Sequence, residues 1–134
     1  MTLDSPKAII LFGHGSRDPL WRLPIDAVAQ RIRAQHPGTP VRCAFLELEK
    51  PGLDEAAADL VARGARRVTV VPMFLGTGRH AREDLPLLIE GVRGAHPEVE
   101  FTLQPAVGED PRLLDLLATI ALGPGDQRQP GTPD

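Results

Sequence analysis

The sequence predicts an α/β fold, a flavodoxin-like three-layer sandwich in which a four-stranded parallel sheet of strand order 2-1-3-4 lies between helices. One observation is that apolar, β-branched segments alternate four times with segments whose apolar residues recur at helical spacing. Such alternation is typical of parallel strands joined by right-handed crossovers. The other is that 134 residues, 42% hydrophobic and 25% charged, have the length and composition of one globular domain.

The first half of the chain predicts two strands and two helices. Lys7–Gly13 is a short apolar run typical of a strand covered on both faces. A helix with Pro24 in its first turn then runs until Pro37. The second strand is predicted over Val41–Leu48, and the helix after it ends at Gly64. The apolar stripes of these helices are Trp21, Ile25, Val28 and Ile32, and Leu53, Ala57, Leu60 and Val61.

The second half repeats the pattern. Arg67–Phe74 carries the strongest strand signal in the chain, and Val99–Leu103 predicts the fourth strand. Between them lie a Gly-rich and Arg-rich loop, Leu75–Asp84, and a helix with Pro86 in its first turn. The apolar stripes of the third and fourth helices are Leu85, Leu88, Ile89 and Val92, and Leu113, Leu116, Leu117 and Ile120.

We therefore expect one domain over residues 1–122 and a disordered tail over residues 123–134. The tail contains three glycines, three prolines and no large apolar side chain. A short internal echo, RAQHP at Arg33–Pro37 and RGAHP at Arg93–Pro97, joins a helix end to the next strand in both places. Its histidines, His36 and His96, are expected to face helix C-termini, where an imidazole complements the dipole.

Charge and cysteine content limit the partners and the compartment. A net charge of −3 gives no basic excess, so we expect no nucleic-acid partner. Cys43 is the single cysteine, which excludes an intramolecular disulfide and a cysteine-based zinc site and fits the cytoplasm. The N-terminal apolar run, Ala8–Phe12, is too short for a signal peptide or a membrane span, so we expect a cytoplasmic protein with no membrane partner.

Three chemically competent side chains follow neighbouring strands of the predicted sheet. His14 follows the first strand in FGHGSR, Glu47 ends the second in FLELEKP, and His80 follows the third in PMFLGTGRHARED. Ligands of open parallel sheets bind outside the carboxyl ends of the strands. Two imidazoles and one carboxylate suit a first-row divalent ion and leave coordination positions open.

The flanking residues indicate a large polyanionic ligand. Gly13 and Gly15, like Gly76 and Gly78 in the later loop, would let the backbone approach a bulky molecule. Guanidinium groups hold carboxylates in bidentate pairs. The candidate carboxylate-binding residues are Arg17, Arg79 and Arg82.

Each of these features also has a structural interpretation. His14 could simply cap the sheet edge, with Ser16 as the N-cap of the first helix. Glu47 could be a solvated strand terminus, Glu49 is expected to be exposed, and the arginines taken singly are typical surface residues.

A competing motif lies in the loop after the third strand. Gly76–Ala81, GTGRHA, matches the G-x-G-x-x-A outline of a dinucleotide-binding turn. It follows the third strand instead of the first, and Pro86 predicts a helix that begins after the motif. A chance match is therefore favoured, and a nucleotide-binding module is kept as a lesser alternative. A serine hydrolase is set aside because Ser16 lacks the G-x-S-x-G elbow.

FGHGSR, FLELEKPGLDEA, VVPMFLGTGRHAREDLP and VGEDPRL, in this order, resemble the CbiX family of small tetrapyrrole chelatases, from about Ala8 to about Ala121. The resemblance implies a chelatase-like fold and a lyase that inserts a divalent metal into sirohydrochlorin in cobalamin or siroheme synthesis. Co²⁺ is the expected metal, Ni²⁺ and Fe²⁺ are alternatives, and no organic cofactor is expected. A non-catalytic metal or tetrapyrrole carrier is the alternative function.

By the same resemblance, His14 is a metal ligand and proton acceptor, His80 the second imidazole, and Glu47 a metal ligand or proton acceptor. Lys50 and Gly52 depart from an acidic residue and a serine that are common in relatives. Because long members contain two such domains in tandem, a single copy implies a two-fold homodimer. The implied substrate-binding residues are Arg17, Lys50, Leu75, Gly76, Thr77, Gly78, Arg79, His80 and Arg82.

Overall fold

A computed structural model describes residues 7–127 and contains one parallel sheet. The strands are β1 (Lys7–Gly13), β2 (Val41–Phe45), β3 (Arg67–Pro72) and β4 (Glu100–Leu103), in the order β2-β1-β3-β4. The predicted α/β class and strand order are both confirmed. Since β1 pairs in parallel with β2 on one side and β3 on the other, all three carboxyl ends lie at the same edge.

The helices follow the strands in strict alternation. Two short 3-10 helices, Val107–Glu109 and Pro124–Gln127, flank the last α-helix. The four α-helices are α1 (Leu23–Gln35), α2 (Leu53–Ala62), α3 (Arg79–Ala95) and α4 (Pro111–Leu122).

Apolar side chains bury both faces of the sheet. α1 covers one face, where Ile25 and Ala29 pack on Leu11 and Phe45. α2 and α3 cover the other face and bury a larger cluster. The central residues of that cluster include Ile10, Phe12, Leu60, Val68, Val70 and Ile89. The sheet is thus covered by helices on both faces, and for this reason β1 and β3 are nearly continuous apolar runs.

The start of α3 differs from the prediction. The helix begins at Arg79, so Leu75–Asp84 is not one loop, and Pro86 lies inside the helix instead of in its first turn. Proline removes one helical hydrogen bond, but the buried stripe that includes Ala81 and Leu85 continues through it. Tertiary packing therefore overrides the local signal of the proline.

Other boundaries also differ, and β4 begins at Glu100 instead of Val99. β2 ends at Phe45 instead of Leu48 and β3 at Pro72 instead of Phe74, because the chain turns away from the sheet into the loops. The tail was predicted to be disordered from residue 123, but Pro124–Gln127 form a 3-10 helix. The rest of that predicted tail, residues 128–134, lies outside the described residues.

The internal echo is a repeated helix-to-strand connection. Arg33 Nη2 donates to the carbonyl of Val41 at 2.9 Å, and Arg93 Nη2 donates to that of Phe101 at 2.9 Å. His36 and His96 are the C-cap residues of α1 and α3, as predicted. The two segments thus fasten α1 to β2 and α3 to β4 in the same way.

Within the described part of the chain, no helix combines the length and the apolarity needed to cross a membrane.

Candidate functional site

The carboxyl edge of the sheet brings His14 and Glu47 together. His14 directly follows β1, and Glu47 lies two residues beyond β2. The His14 Nε2 and Glu47 Oε2 atoms are 3.5 Å apart, and both side chains are about half exposed, at 46% and 45%. An imidazole and a carboxylate at this separation, open to solvent, can share a cation, and a small side-chain movement brings them within direct hydrogen-bond distance for proton exchange.

The two loops that carry this pair interlock through their backbones. The amide of Leu46 donates to Gly13 O at 2.9 Å, and that of Glu47 donates to His14 O at 3.1 Å. Gly15 has φ +104°, and a Cβ atom built there would lie 1.7 Å from Glu47 O. Gly15 is therefore required for a close approach of the protein to itself, not of a ligand as the sequence suggested.

Glu49 is not exposed, contrary to the sequence prediction. Its side chain is only 12% exposed. Its Oε2 accepts from the amide of Ser16 at 3.3 Å, and its Oε1 accepts from Arg22 Nη1 at 3.4 Å. Both carboxylate oxygens of Glu49 are therefore engaged within the protein, and Glu47 is the carboxylate of this loop that is open to a ligand. Ser16 Oγ accepts from Asp18 N in a local turn, and the N-cap residue of α1 is Arg22.

Arg22 is a residue that the sequence analysis missed. Its guanidinium donates to both carboxylate oxygens of Asp26, at 3.0 and 3.2 Å, and to Lys50 O at 3.3 Å. Its Cζ atom lies 4.5 Å from the centre of the Phe45 ring. The hydrogen bond to Asp26 raises the pKa of Arg22, with a further contribution from the charge of Glu49. An arginine before a helix gives no sequence signal for these contacts.

His80 lies in the first turn of α3 and has its own carboxylate partner. Its Nε2 lies 2.9 Å from Asp84 Oδ2, and its side chain is 70% exposed. Across residues 7–127, no three His, Cys, Asp or Glu side chains are arranged to hold a metal ion. The structure thus brings His14 to Glu47 and does not bring His80 into a three-residue cluster with them.

The predicted cationic contacts lie at the rim of this edge. Arg17 and Lys50 are exposed. Arg79 Nε lies 3.7 Å from Glu83, and Arg82 Nη1 donates to Thr77 O at 2.8 Å, which fastens the loop after β3. Arg17 and Lys50 are therefore open to an anionic ligand.

Large apolar side chains are exposed around the same loops. Leu48, with φ +68°, lies beside Glu47, and Leu20 and Leu23 flank the start of α1. Leu75 is 67% exposed in the loop after β3. Of these four, sequence reasoning singled out only Leu75. Charged and apolar groups on one rim suit a ligand with a flat apolar body and anionic arms.

The loop after β3 is supported by the 3-10 helix Val107–Glu109, which follows β4. A Cβ atom on Gly108 would lie 1.8 Å from Leu75 O, and the Gly108 amide donates to Phe74 O at 2.9 Å. A cavity of about 260 Å³ lies next to this contact, between the start of α3 and the end of β4. Its lining is mainly apolar and includes Arg82 and Glu109.

The structure changes the argument about the GTGRHA motif. α3 begins at Arg79, directly after Gly78, so the expectation that the helix starts beyond Ala81 is wrong. The motif still follows β3 instead of the first strand, and both of its glycines face open space. In a dinucleotide-binding turn, a glycine is needed for close packing against the ligand or the helix.

Comparisons with known proteins agree on one family. The family model CbiX matches residues 8–121. The chain is 31% identical to the sirohydrochlorin cobaltochelatase of Methanothermobacter thermautotrophicus, over 84% of this chain and 89% of that protein. It is 32% identical to the sirohydrochlorin cobaltochelatase of Saccharolobus solfataricus, over 81% and 88% of the two chains.

Solved structures give the same result. A cobalamin (vitamin B12) biosynthesis CbiX protein from Marinobacter aquaeolei is 31% identical with a TM-score of 0.77, over 91% of this chain and 99% of that one. The sirohydrochlorin chelatase SirB from Bacillus subtilis, in complex with cobalt, is 26% identical with a TM-score of 0.74. That match covers 87% of this chain and 50% of SirB.

Proposed function

The chain belongs to the CbiX family, and from that premise we propose that it is a chelatase that inserts a divalent metal ion into sirohydrochlorin. The observation that carries the proposal is the pairing of His14 with Glu47 at the open edge of a sheet with this family's fold. The metal and the tetrapyrrole are both substrates, and the product is the metallated ring. The reaction belongs to the synthesis of cobalamin, siroheme or a related tetrapyrrole.

The chemistry of insertion fits these residues. The free ring must lose two pyrrole N–H protons, and the metal must exchange its protein and water ligands for four ring nitrogens. A neutral imidazole can bind a metal or accept a proton near neutral pH. We assign metal delivery to His14 and His80, with Glu47 as a further ligand, and proton removal to Glu47 or to an imidazole that has released the metal.

An open arrangement of ligands supports delivery better than storage. The His14–Glu47 pair lies on the loops after β1 and β2, and His80 lies at the start of α3. Imidazole and carboxylate ligands without thiolates hold a first-row ion loosely enough to release it. A site that closes tightly around the ion would oppose its transfer to the ring.

The rim provides contacts for the macrocycle. We propose that Arg17, Lys50, Arg79 and Arg82 bind its peripheral carboxylates. All four side chains are exposed, and Arg79 and Arg82 keep guanidinium N–H groups beyond those that contact Glu83 and Thr77 O. The loop from Leu75 through Gly76, Thr77 and Gly78 to His80 would lie against the ring. Holding the ring in a fixed orientation over the metal would lower the entropic part of the barrier.

A second copy of the chain is part of the proposal. All twelve residues of α4 are described and none is buried. The helix packs mainly against the two short 3-10 helices beside it. A two-fold homodimer would cover its apolar surface and complete the cleft. The exposed apolar residues of α4 are Leu114, Leu116, Leu117, Ile120 and Leu122.

Cobalt is the proposed metal, with Ni²⁺ and Fe²⁺ as alternatives. The two relatives compared above are named sirohydrochlorin cobaltochelatases, and SirB has been solved with cobalt and with Fe³⁺. We propose no organic cofactor, since deprotonation and ligand exchange need none. A cytoplasmic location is also proposed, because Cys43 is a buried free thiol of the kind that a reducing compartment preserves.

The direct test follows the visible spectrum of sirohydrochlorin with Co²⁺, with and without the purified protein. The protein should accelerate insertion, and His14→Ala and His80→Ala should each reduce the rate to the protein-free level. His36→Ala, at the C-cap of α1, is the matched control and should retain the wild-type rate. A carrier would bind metal or ring without exceeding the protein-free rate, and that result would overturn the proposal.

A further inference from the structure

We infer that Arg22 and Glu49 are positioning residues that hold the His14 and Glu47 loops in the geometry for metal transfer. This inference rests on the proposed function of the His14–Glu47 pair. Neither residue reaches the reacting groups, because each is engaged with the protein itself. They act by fixing where the two loops lie relative to α1 and to each other.

The contacts form a continuous chain across three segments. Glu49, in the loop after β2, accepts from the amide of Ser16, two residues beyond His14. Arg22, at the start of α1, donates to Glu49 and to the carbonyl of Lys50. Asp26, one turn further along α1, holds the guanidinium with two hydrogen bonds. The loop after β1, the loop after β2 and α1 are thereby joined through one carboxylate and one guanidinium.

The identities of the two residues suit this task. Arginine presents its donors in a rigid planar fork, so one side chain can bind two carboxylates and a carbonyl while lying on the Phe45 ring. Glutamate offers two acceptor oxygens, and here each takes a different donor. Arg22→Lys or Glu49→Gln would keep some of these hydrogen bonds and lose the others.

A structural ion pair between the sheet and α2 provides a comparison for the Arg22–Glu49 contacts. Arg42 on β2 bonds Asp59 on α2 at 2.7 Å, with side chains 31% and 35% exposed, similar to the 29% of Arg22. The Arg42–Asp59 pair joins a strand to a helix and contacts neither site loop. Loss of the Arg42–Asp59 pair or of the Arg22–Glu49 contacts should lower the melting temperature, but only loss of the Arg22–Glu49 contacts should change the rate of metal transfer.

The experiment measures insertion kinetics, melting temperature and amide exchange in Glu49→Ala, Glu49→Gln, Arg22→Ala and Arg42→Ala. Glu49→Ala should lower kcat by about 10- to 100-fold, the range typical when a group that orients a metal ligand is removed. KM for sirohydrochlorin should change less than kcat. Glu49→Gln should recover part of the loss, because its carbonyl oxygen can still accept from one of the two donors.

Amide exchange gives a readout that does not depend on activity. The Ser16 amide should exchange faster in Glu49→Ala than in wild type, and Arg42→Ala should leave it unchanged. The inference is overturned if Glu49→Ala loses no more activity than Arg42→Ala at an equal loss of melting temperature, or if Ser16 exchange does not change. If the wild-type protein fails to accelerate insertion, the proposed function fails, whereas the exchange result still tests the contacts themselves.

Discussion

Replacing Gly15 with alanine should separate the loops that carry His14 and Glu47. The added Cβ atom would lie 1.7 Å from Glu47 O and 2.9 Å from Glu47 C. Both neighbours are backbone atoms, so a rotamer change cannot relieve the overlap. The loops must move apart by roughly 1 Å or more to restore ordinary contact distances, and such a displacement at a reacting centre can lower a rate about 100-fold.

The same substitution also strains the backbone. Gly15 has φ +104°, a conformation that costs a non-glycine residue about 1–3 kcal/mol. For a domain of this size, a loss of 1 kcal/mol lowers Tm by roughly 4 °C. We expect Gly15→Ala to lower Tm by about 4–12 °C from backbone strain, and further because of the overlap with Glu47, and to lower kcat for cobalt insertion by about 100-fold.

Gly64→Ala is the matched control. Gly64 follows α2 with φ +102°, and a Cβ atom there would meet nothing within 4 Å. This variant should therefore lose a similar backbone contribution to Tm while keeping the wild-type kcat. Melting curves by circular dichroism and the spectroscopic insertion assay measure the two effects. Wild-type turnover in Gly15→Ala, or an equal loss of turnover in Gly64→Ala, would refute the reasoning.

Three further changes have defined outcomes. Asp84→Asn should lower the insertion rate about tenfold or more, because Asp84 lies 2.9 Å from the His80 imidazole and orients it. Glu83→Gln is the control and should keep the wild-type rate. Equal rates for the two variants in steady-state kinetics would contradict this role of Asp84. Ile120→Asp should yield monomers in sedimentation velocity, because it places a charge on the exposed apolar face of α4; an unchanged dimer would place the interface elsewhere. Burial raises the pKa of Cys43 from 9.0 to about 11, so its contribution to stability should be complete below pH 9 and fall as the pH rises toward 11. Urea unfolding should show this slope in wild type and not in Cys43→Ala.

The sequence predicted the framework because that framework depends on local patterns. The bounds of β1 followed from its apolar run, and the strand order 2-1-3-4 followed from the flavodoxin-like arrangement that four alternating strands and helices favour. His36 and His96 were placed correctly at helix C-termini for the same reason. The start of α3 was predicted wrongly, because Pro86 is a strong local signal for a first turn, whereas the burial of Ala81 and Leu85 that overrides it depends on tertiary packing.

The details of the site depend on contacts between residues distant along the chain. Gly15 is needed because of where Glu47 O lies, 32 residues later, and Glu49 is covered because Ser16 and Arg22 reach it. No local pattern encodes such distances. The sequence could therefore place His14 and Glu47 at one edge of the sheet, but it could not show that their loops interlock or that His80 pairs with its own carboxylate.

The site itself is tested most directly by anomalous diffraction at the cobalt edge from crystals soaked with Co²⁺. We expect an anomalous peak about 2 Å from an imidazole nitrogen of His14 and a carboxylate oxygen of Glu47, with His80 of the same chain or of a symmetric neighbour completing the ligand set. Cobalt bound elsewhere, with the His14 and Glu47 side chains free of metal, would contradict it.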